Sequence, residues 1–257
     1  MAAPINAFKE RLRDQQIGLF ATLNSPALAE LLAGCGFDWI LIDTEHSPGE
    51  MADVVAQLHA LQGHDVSVIV RPAWSDMVLI KRLLDAGAQT LLIPNVQTAQ
   101  EAATAVSYAR YPPAGVRGVS SGSRAAQYGQ CADYLRTADE QICILVQIET
   151  PLAVRNLESI AAVPGVDGLF IGPNDLAASM GYLGDAQHPA VQAAVDDALD
   201  RMRALDIVTG YLTTNEAEAR RRTAQGVHVM GVATDTSIIN RGATASLASL
   251  HGGASPR

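Results

Sequence analysis

The chain has 257 residues, 48% apolar, 18% charged and 5% aromatic, with a formal net charge of −9, so no surplus of cations exists to displace counterions from a nucleic acid. Its three cysteines (Cys35, Cys131 and Cys143) are scattered without a CxxC pair, which excludes a disulfide framework or zinc ribbon and reads as separate buried thiols. No run approaches the roughly 18 apolar residues of a membrane span, and the N-terminal MAAPINAFKERLRDQQ lacks a signal-peptide core, so a cytoplasmic protein is expected.

Short apolar runs alternate with helical patterns along the chain. Strands are predicted at 17–22, 37–43, 66–71, 90–94, 142–149, 168–172, 207–212 and 227–232. Helices are predicted to start near Ser25, Glu50, Ser75, Thr98, Pro151, Pro173, Thr213 and Thr234. Ser25-Pro26 and Thr150-Pro151 pair a cap with a first-turn proline, and Gly172 or Asn174 does so beside Pro173. Gly34, Gly36, Gly87, Gly165 and Gly226 are placed to end helices before the next strand. Eight βα units without a flexible linker read as one α/β domain, a (β/α)8 TIM barrel over 1–250. An open doubly wound sheet is the alternative, weakened by the absence of a GxGxxG phosphate turn after any strand. The one irregular stretch, 111–140, is rich in Gly, Ser and Pro before turning helical around 132–138, and 251–257 (HGGASPR) reads as a disordered tail.

In such barrels functional groups stand at the C-terminal ends of strands. Here those ends carry Asp43-Thr44-Glu45-His46, Arg71-Pro72, Gln147-Ile148-Glu149 and Gly172-Pro173-Asn174-Asp175. Glu149 and Asp175 end neighbouring strands, and two carboxylates without Cys or His suit a hard divalent ion such as Mg2+ or Mn2+; the plain alternative is that both cap helices. Gln147 shares a strand face with Glu149 and is placed to meet a substrate oxygen. His46 is the leading general base or acid, because an imidazole titrates near neutrality, and the other five histidines read as structural. Arg71 is placed to stabilise an oxyanion or enolate, or to balance Asp43 and Glu45. Free N–H groups in the Gly172-Pro173-Asn174-Asp175 turn would suit a carboxylate, and Leu212 ends the seventh strand beside them. The only two lysines, Lys9 and Lys81, fall in the N-terminal segment and mid-helix, so neither a Schiff-base lysine nor pyridoxal phosphate (PLP) is expected.

These residues resemble the metal-dependent HpcH/HpaI aldolases, the class II pyruvate aldolases. The resemblance rests on FDWILIDTEHSP, VIVRPAW, IKRLLDAGAQTLLIPNVQ, ARYPPAGVRGV, ILVQIET, GVDGLFIGPNDLAASMGY and QHPAVQAA, which are collinear over roughly residues 5–245. It implies divalent-metal-dependent, reversible cleavage of a 4-hydroxy-2-oxo acid, of the 4-hydroxy-2-oxoheptanedioate or 2-dehydro-3-deoxyglucarate type, to pyruvate and an aldehyde, with Mg2+, Mn2+ or Co2+. It further implies a homohexamer of three dimers that exchange their final helix. By position, Glu149 and Asp175 match the family's metal ligands, His46 its base and Arg71 its enolate-stabilising arginine. Gln147 and the backbone around Asn174 and Asp175 match its pyruvate contacts. Asp85 matches an aspartate that raises the histidine's basicity, in its own or a neighbouring subunit. The departures are Thr44 for glycine, Asn174 for alanine or serine, and Ala233-Thr234-Asp235 after the last strand. Arg124, in the loop 120–129, is a candidate for a distal substrate carboxylate. An acyl-CoA lyase of the malyl- or citramalyl-CoA type and a catalytically silent 2-oxo-acid-binding barrel are the alternatives.

Overall fold

A computed structural model describes residues 2–250. The expected tail at 251–257 lies outside the described residues. Eight parallel strands, β1 (Gln16–Ala21), β2 (Trp39–Asp43), β3 (Ser67–Arg71), β4 (Thr90–Ile93), β5 (Cys143–Ile148), β6 (Gly168–Ile171), β7 (Val208–Leu212) and β8 (Val229–Thr234), close into a barrel in chain order. Each falls within two residues of its predicted bounds. The helices are α1 (Ala7–Glu10), α2 (Pro26–Ala33), α3 (Met51–Ala60), α4 (Met77–Ala86), α5 (Ala99–Ala109) and α6 (Tyr134–Gln141). They continue with α7 (Pro151–Arg155), α8 (Leu157–Ala161), α9 (Pro173–Ser179), α10 (Pro189–Ala204), α11 (Glu216–Ala224) and α12 (Asp235–Leu250).

Local chemistry accounts for these boundaries. The hydroxyls of Ser25, Thr98 and Thr150 accept N–H groups of the following first turns, and Pro26 and Pro151 supply preset first-turn dihedrals. The helix expected at Ser75 starts one residue later behind Asp76, whose carboxylate accepts two N–H groups, and the one expected at Thr213 starts behind Asn215. Two predicted helices are divided: the chain breaks at Asn156 between α7 and α8, and a loop separates α9 from α10. Gly87, at φ +104°, turns the chain out of α4 into β4.

The period-2 alternation of the strands sorts side chains into two layers. Outward residues such as Ile40, Ile42, Val70 and Leu91 pack beneath the helices. Inward residues, including Phe20, Trp39, Leu41, Ile69, Leu92, Leu145 and Phe170, fill the barrel, and Phe8 and Leu12 near α1 join them. Two glycines make that filling possible. A Cβ at Gly18 would strike the Trp39 ring, and one at Gly210 would strike Phe170. Climbing each inward face, the residues change from apolar to polar: Trp39 and Leu41 lead to Asp43, Ile69 to Arg71, and Cys143 and Leu145 to Gln147 and then Glu149. An apolar plug therefore supports a polar floor at the C-terminal mouth.

Cys35 is exposed at the end of α2, which corrects the expectation of three buried thiols; position 35 faces solvent once Gly34 has capped the helix. No described helix is long and apolar enough to cross a membrane.

Candidate active site

Arg71 organises the mouth. Its Nε and Nη2 donate to Oδ1 and Oδ2 of Asp43 at 2.8 and 2.7 Å, a two-pronged pairing with a fully buried carboxylate. Its Nη1 donates to Gln147 Oε1 at 3.3 Å and stands 2.8 Å from Glu45 Oε2. The guanidinium carbon sits 5.2 Å from the centre of the Phe20 ring at the top of the plug. Burial disfavours the charged guanidinium, but the hydrogen bonds and charge of Asp43 outweigh it and hold the pKa above its ordinary value. Asp43 and Glu45 thus do more than balance charge: both adjoin β2's inward face, two residues apart, and they fix the plane of Arg71.

From Arg71 the polar chain runs to Glu149. Gln147 Nε2 donates to Glu149 Oε2 at 2.6 Å, and the backbone N–H of Asn95 donates to Oε1 at 2.6 Å. Glu149 is 5% exposed, and its pKa rises to about 7, first because burial penalises the carboxylate and then through the charges of Asp175 and Glu45. Glu45 rises to about 7 as well, again first through burial, with Asp43 and Asp175 adding to it against the pull of Arg71. Asp175 is exposed in the first turn of α9, within electrostatic reach of both glutamates.

This donor set fits a hard divalent cation. Glu149, buried, raised in pKa and facing the charges of Asp175 and Glu45, gains most from a positive charge placed beside it. Gly172 leaves the space open, since a Cβ there would stand 2.7 Å from Glu149 Oε2 and 3.2 Å from Gln147 Nε2. No group of three or more His, Cys, Asp or Glu at metal-binding spacing occurs among the described residues. A two-carboxylate set leaves the remaining coordination to water and substrate, as Mg2+ prefers.

The other expected site residues are distributed unevenly. Pro173 is buried and Asn174 exposed at the start of α9, and Leu212 is half-buried against the barrel interior. His46 lies at the rim, its side chain 62% exposed and its Nε2 3.7 Å from Glu45 Oε2. Residues 43 and 45 take the inward period, so 46 does not. Asp85 stands at the C-terminal end of α4, where the helix feeds the base of β4, and pairs with Arg117 at 2.8 Å. It is therefore away from its own mouth. Arg124 is also drawn to the base: its Nη1 donates to the carbonyl of Ala86 at 2.8 Å. As a reader of a substrate carboxylate in its own chain's mouth Arg124 is corrected, because the loop folds back onto α4 through the Ala125 N–H and the Asp85 carbonyl. Lys9 is likewise at the base, with Nζ donating to the Ile142 carbonyl, and Lys81 packs beside Gly118.

The sequence departures have structural uses. Thr44 Oγ1 donates to the Arg71 carbonyl at 2.6 Å, stapling the ends of β2 and β3 together. Asp235, 1% exposed, accepts the N–H groups of Thr22 and Leu23 and the Thr22 hydroxyl, closing the seam between β1 and α12. Sequence reasoning missed Asn95 altogether.

Comparison with known proteins agrees with this architecture. The family model for HpcH/HpaI aldolase/citrate lyase matches residues 16–241. A 4-hydroxy-2-oxo-heptane-1,7-dioate aldolase of Salmonella dublin is 51% identical over 243 residues, which span 93% of this chain and 92% of that one. An HpcH/HpaI aldolase/citrate lyase family protein from Burkholderia cenocepacia superposes with a TM-score of 0.92 at 40% identity, covering 96% and 99% of the two chains. The HpcH/HpaI aldolase from Desulfitobacterium hafniense gives 0.87 at 26% identity, covering 96% and 97%. The chain belongs to the HpcH/HpaI aldolase/citrate lyase family, as a carbon–carbon lyase of the aldolase kind.

Proposed function

We propose that this protein catalyses the reversible retro-aldol cleavage of 4-hydroxy-2-oxoheptanedioate to pyruvate and succinate semialdehyde. The observation that carries the reading is the continuous polar floor from Asp43 through Arg71 and Gln147 to Glu149, taken with the 51% identity to an aldolase named for that substrate. A divalent cation, Mg2+, Mn2+ or Co2+, held by Glu149 and Asp175 would supply Lewis acidity at the substrate's carboxylate and 2-oxo oxygen.

The protein's own groups divide the remaining work. The first-turn N–H groups at Asn174 and Asp175 have no helical carbonyl behind them and meet the pyruvate carboxylate, with Gly172 and Pro173 shaping the approach. Gln147 and Arg71 face the 2-oxo oxygen. His46 takes the proton of the 4-hydroxyl as the C3–C4 bond breaks, and C4 becomes the aldehyde carbon. The bonding pair passes to C3, the enolate oxygen is stabilised by Arg71, and C3 is then protonated. Leu212 borders the aldehyde side.

Asp85 orients His46 of a neighbouring subunit, since its own mouth lies at the other end of the barrel. The working form in this reading is a cytoplasmic homohexamer, three dimers with exchanged final helices, as the family resemblance implies. In support, α12 leaves Ile239, Leu247 and Leu250 exposed, at 44%, 44% and 83%.

The test is pyruvate release from 4-hydroxy-2-oxoheptanedioate by chelator-treated protein, followed with lactate dehydrogenase. Cleavage that appears only after Mg2+, Mn2+ or Co2+ is added supports the reading. Cleavage at an undiminished rate in chelator, or none with any of the three ions, overturns it.

A further inference from the structure

Glu149 has two carboxylate oxygens, and each is held by one hydrogen bond of 2.6 Å. One donor is the Gln147 side chain. The other is a backbone N–H, at Asn95 in the loop between β4 and α5, and this residue has φ +55°. A non-glycine residue in the left-handed region is uncommon, and asparagine and glycine adopt it most readily. Because φ is the rotation about the N–Cα bond, it sets how the Pro94–Asn95 peptide plane, which carries the N–H, is turned relative to the chain that follows.

The same loop is pinned to the segment that follows β5 at two further points, the cap of α7 and the break between α7 and α8. Thr150 Oγ1 donates to Gln97 Oε1 at 3.2 Å, and Asn156 Nδ2 donates to the Gln97 carbonyl at 2.8 Å. The seam therefore brings the Asn95 N–H to Glu149 as part of a bonded edge rather than as a free loop.

We propose that Asn95 is a positioning residue for Glu149, its left-handed backbone aiming an N–H at Oε1 so that the carboxylate is presented to the divalent cation in one orientation. The proposal rests on the reading of Glu149 as a metal ligand. It assigns the effect to backbone conformation, with the side-chain amide as the means of reaching it. A residue that resists positive φ turns the N–H away and frees the carboxylate to rotate toward Arg71. Glycine keeps the conformation and the donor.

The experiment is Mn2+ titration of chelator-stripped protein, with free Mn2+ read by electron paramagnetic resonance, on the natural chain, Asn95→Gly, Asn95→Ala, Asn95→Val and Glu149→Gln. Thermal melting of each variant checks that it is folded, and Asn95→Ala serves if the valine variant is not. The expected result is Mn2+ affinity about tenfold weaker in Asn95→Val and Asn95→Ala, the usual size of an outer-shell effect on a metal site, and restored in Asn95→Gly. Natural affinity in folded Asn95→Val and Asn95→Ala, with Glu149→Gln impaired, overturns the role of Asn95 and leaves the ligand reading standing. Equal loss in Asn95→Gly overturns it too, by placing the effect in the side chain. Unimpaired binding by Glu149→Gln overturns the ligand reading itself, and this proposal with it.

Discussion

Two buried glutamates in this molecule have opposite electrostatic fates. Glu149, at the mouth, and Glu218, behind β7, are 5% and 4% exposed. Glu218 accepts from the Tyr211 hydroxyl, the Thr213 hydroxyl and the Gln187 amide at 2.6, 2.8 and 2.6 Å, with Arg222 Nε 3.7 Å away. Burial would raise its pKa, but those donors outweigh it and hold the carboxylate below the usual range. Glu149 has two donors and faces the charges of Glu45 and Asp175, so burial prevails and its pKa rises to about 7. Burial alone therefore does not mark a functional carboxylate. What separates them is the tally of donors against neighbouring charges: Glu218 is satisfied by its protein, whereas Glu149 is left with a demand that the proposed cation would meet.

Substitution of the two glutamates breaks or sharpens this contrast. Glu149→Gln should lower retro-aldol turnover by about 10³-fold or more while leaving the melting temperature unchanged or raised, because the variant removes a repelled charge. Steady-state kinetics beside thermal scans would check it. Arg71→Lys keeps the charge but loses the two-pronged fit to Asp43; a fall of about 10²-fold in kcat is expected, with Mn2+ affinity within about threefold. Equal losses in both quantities would show Arg71 acting on the cation site rather than on the enolate.

Glu218→Gln should do the reverse of Glu149→Gln. Disrupting a buried, charge-assisted network costs roughly 2–3 kcal/mol, which for a domain of this size lowers Tm by roughly 5–10 °C. Its turnover should stay within about twofold of the natural chain, and a larger kinetic loss would tie β7 to the chemistry.

The smallest effect is in the pH dependence of stability, where the two carboxylates have opposite signs. Glu218 has a depressed folded pKa, so its contribution is present above the ordinary value near 4.5 and is lost as pH falls through the folded value. Glu149 and Glu45 have raised folded values, so the folded chain binds more protons than the unfolded one between 4.5 and about 7. Their contribution is present below that window and is lost as pH rises through it. Melting curves of chelated protein from about pH 2 to 8 should show an acid limb below 4.5 flattened by Glu218→Gln and a neutral limb flattened by Glu149→Gln.

Much of this was legible in the sequence, for physical reasons that differ by region. The strands are short apolar runs between caps and left-handed glycines, and those signals are local. Inward residues at strand ends follow from a period of two, which is why Arg71, Gln147 and Glu149 could be placed together from their spacing. Asp43 and Glu45 shared that period but read only as counter-charges, because sequence does not tell a two-pronged pairing from a loose one. Arg124 and Asp85 illustrate a second limit: both depend on how the loop after α5 folds back, and the Arg124–Ala86 contact joins residues far apart in the chain. Asn95 marks a third. Its signal was present in Pro94-Asn95, a residue tolerant of positive φ just after a strand, but its partner at Glu149 is 54 positions away.

The most direct test of the account is where a divalent ion binds. Anomalous scattering from a crystal soaked in Mn2+ should place one peak within about 2.5 Å of carboxylate oxygens of both Glu149 and Asp175. A peak that bypasses Glu149, or no peak at millimolar Mn2+, would contradict it.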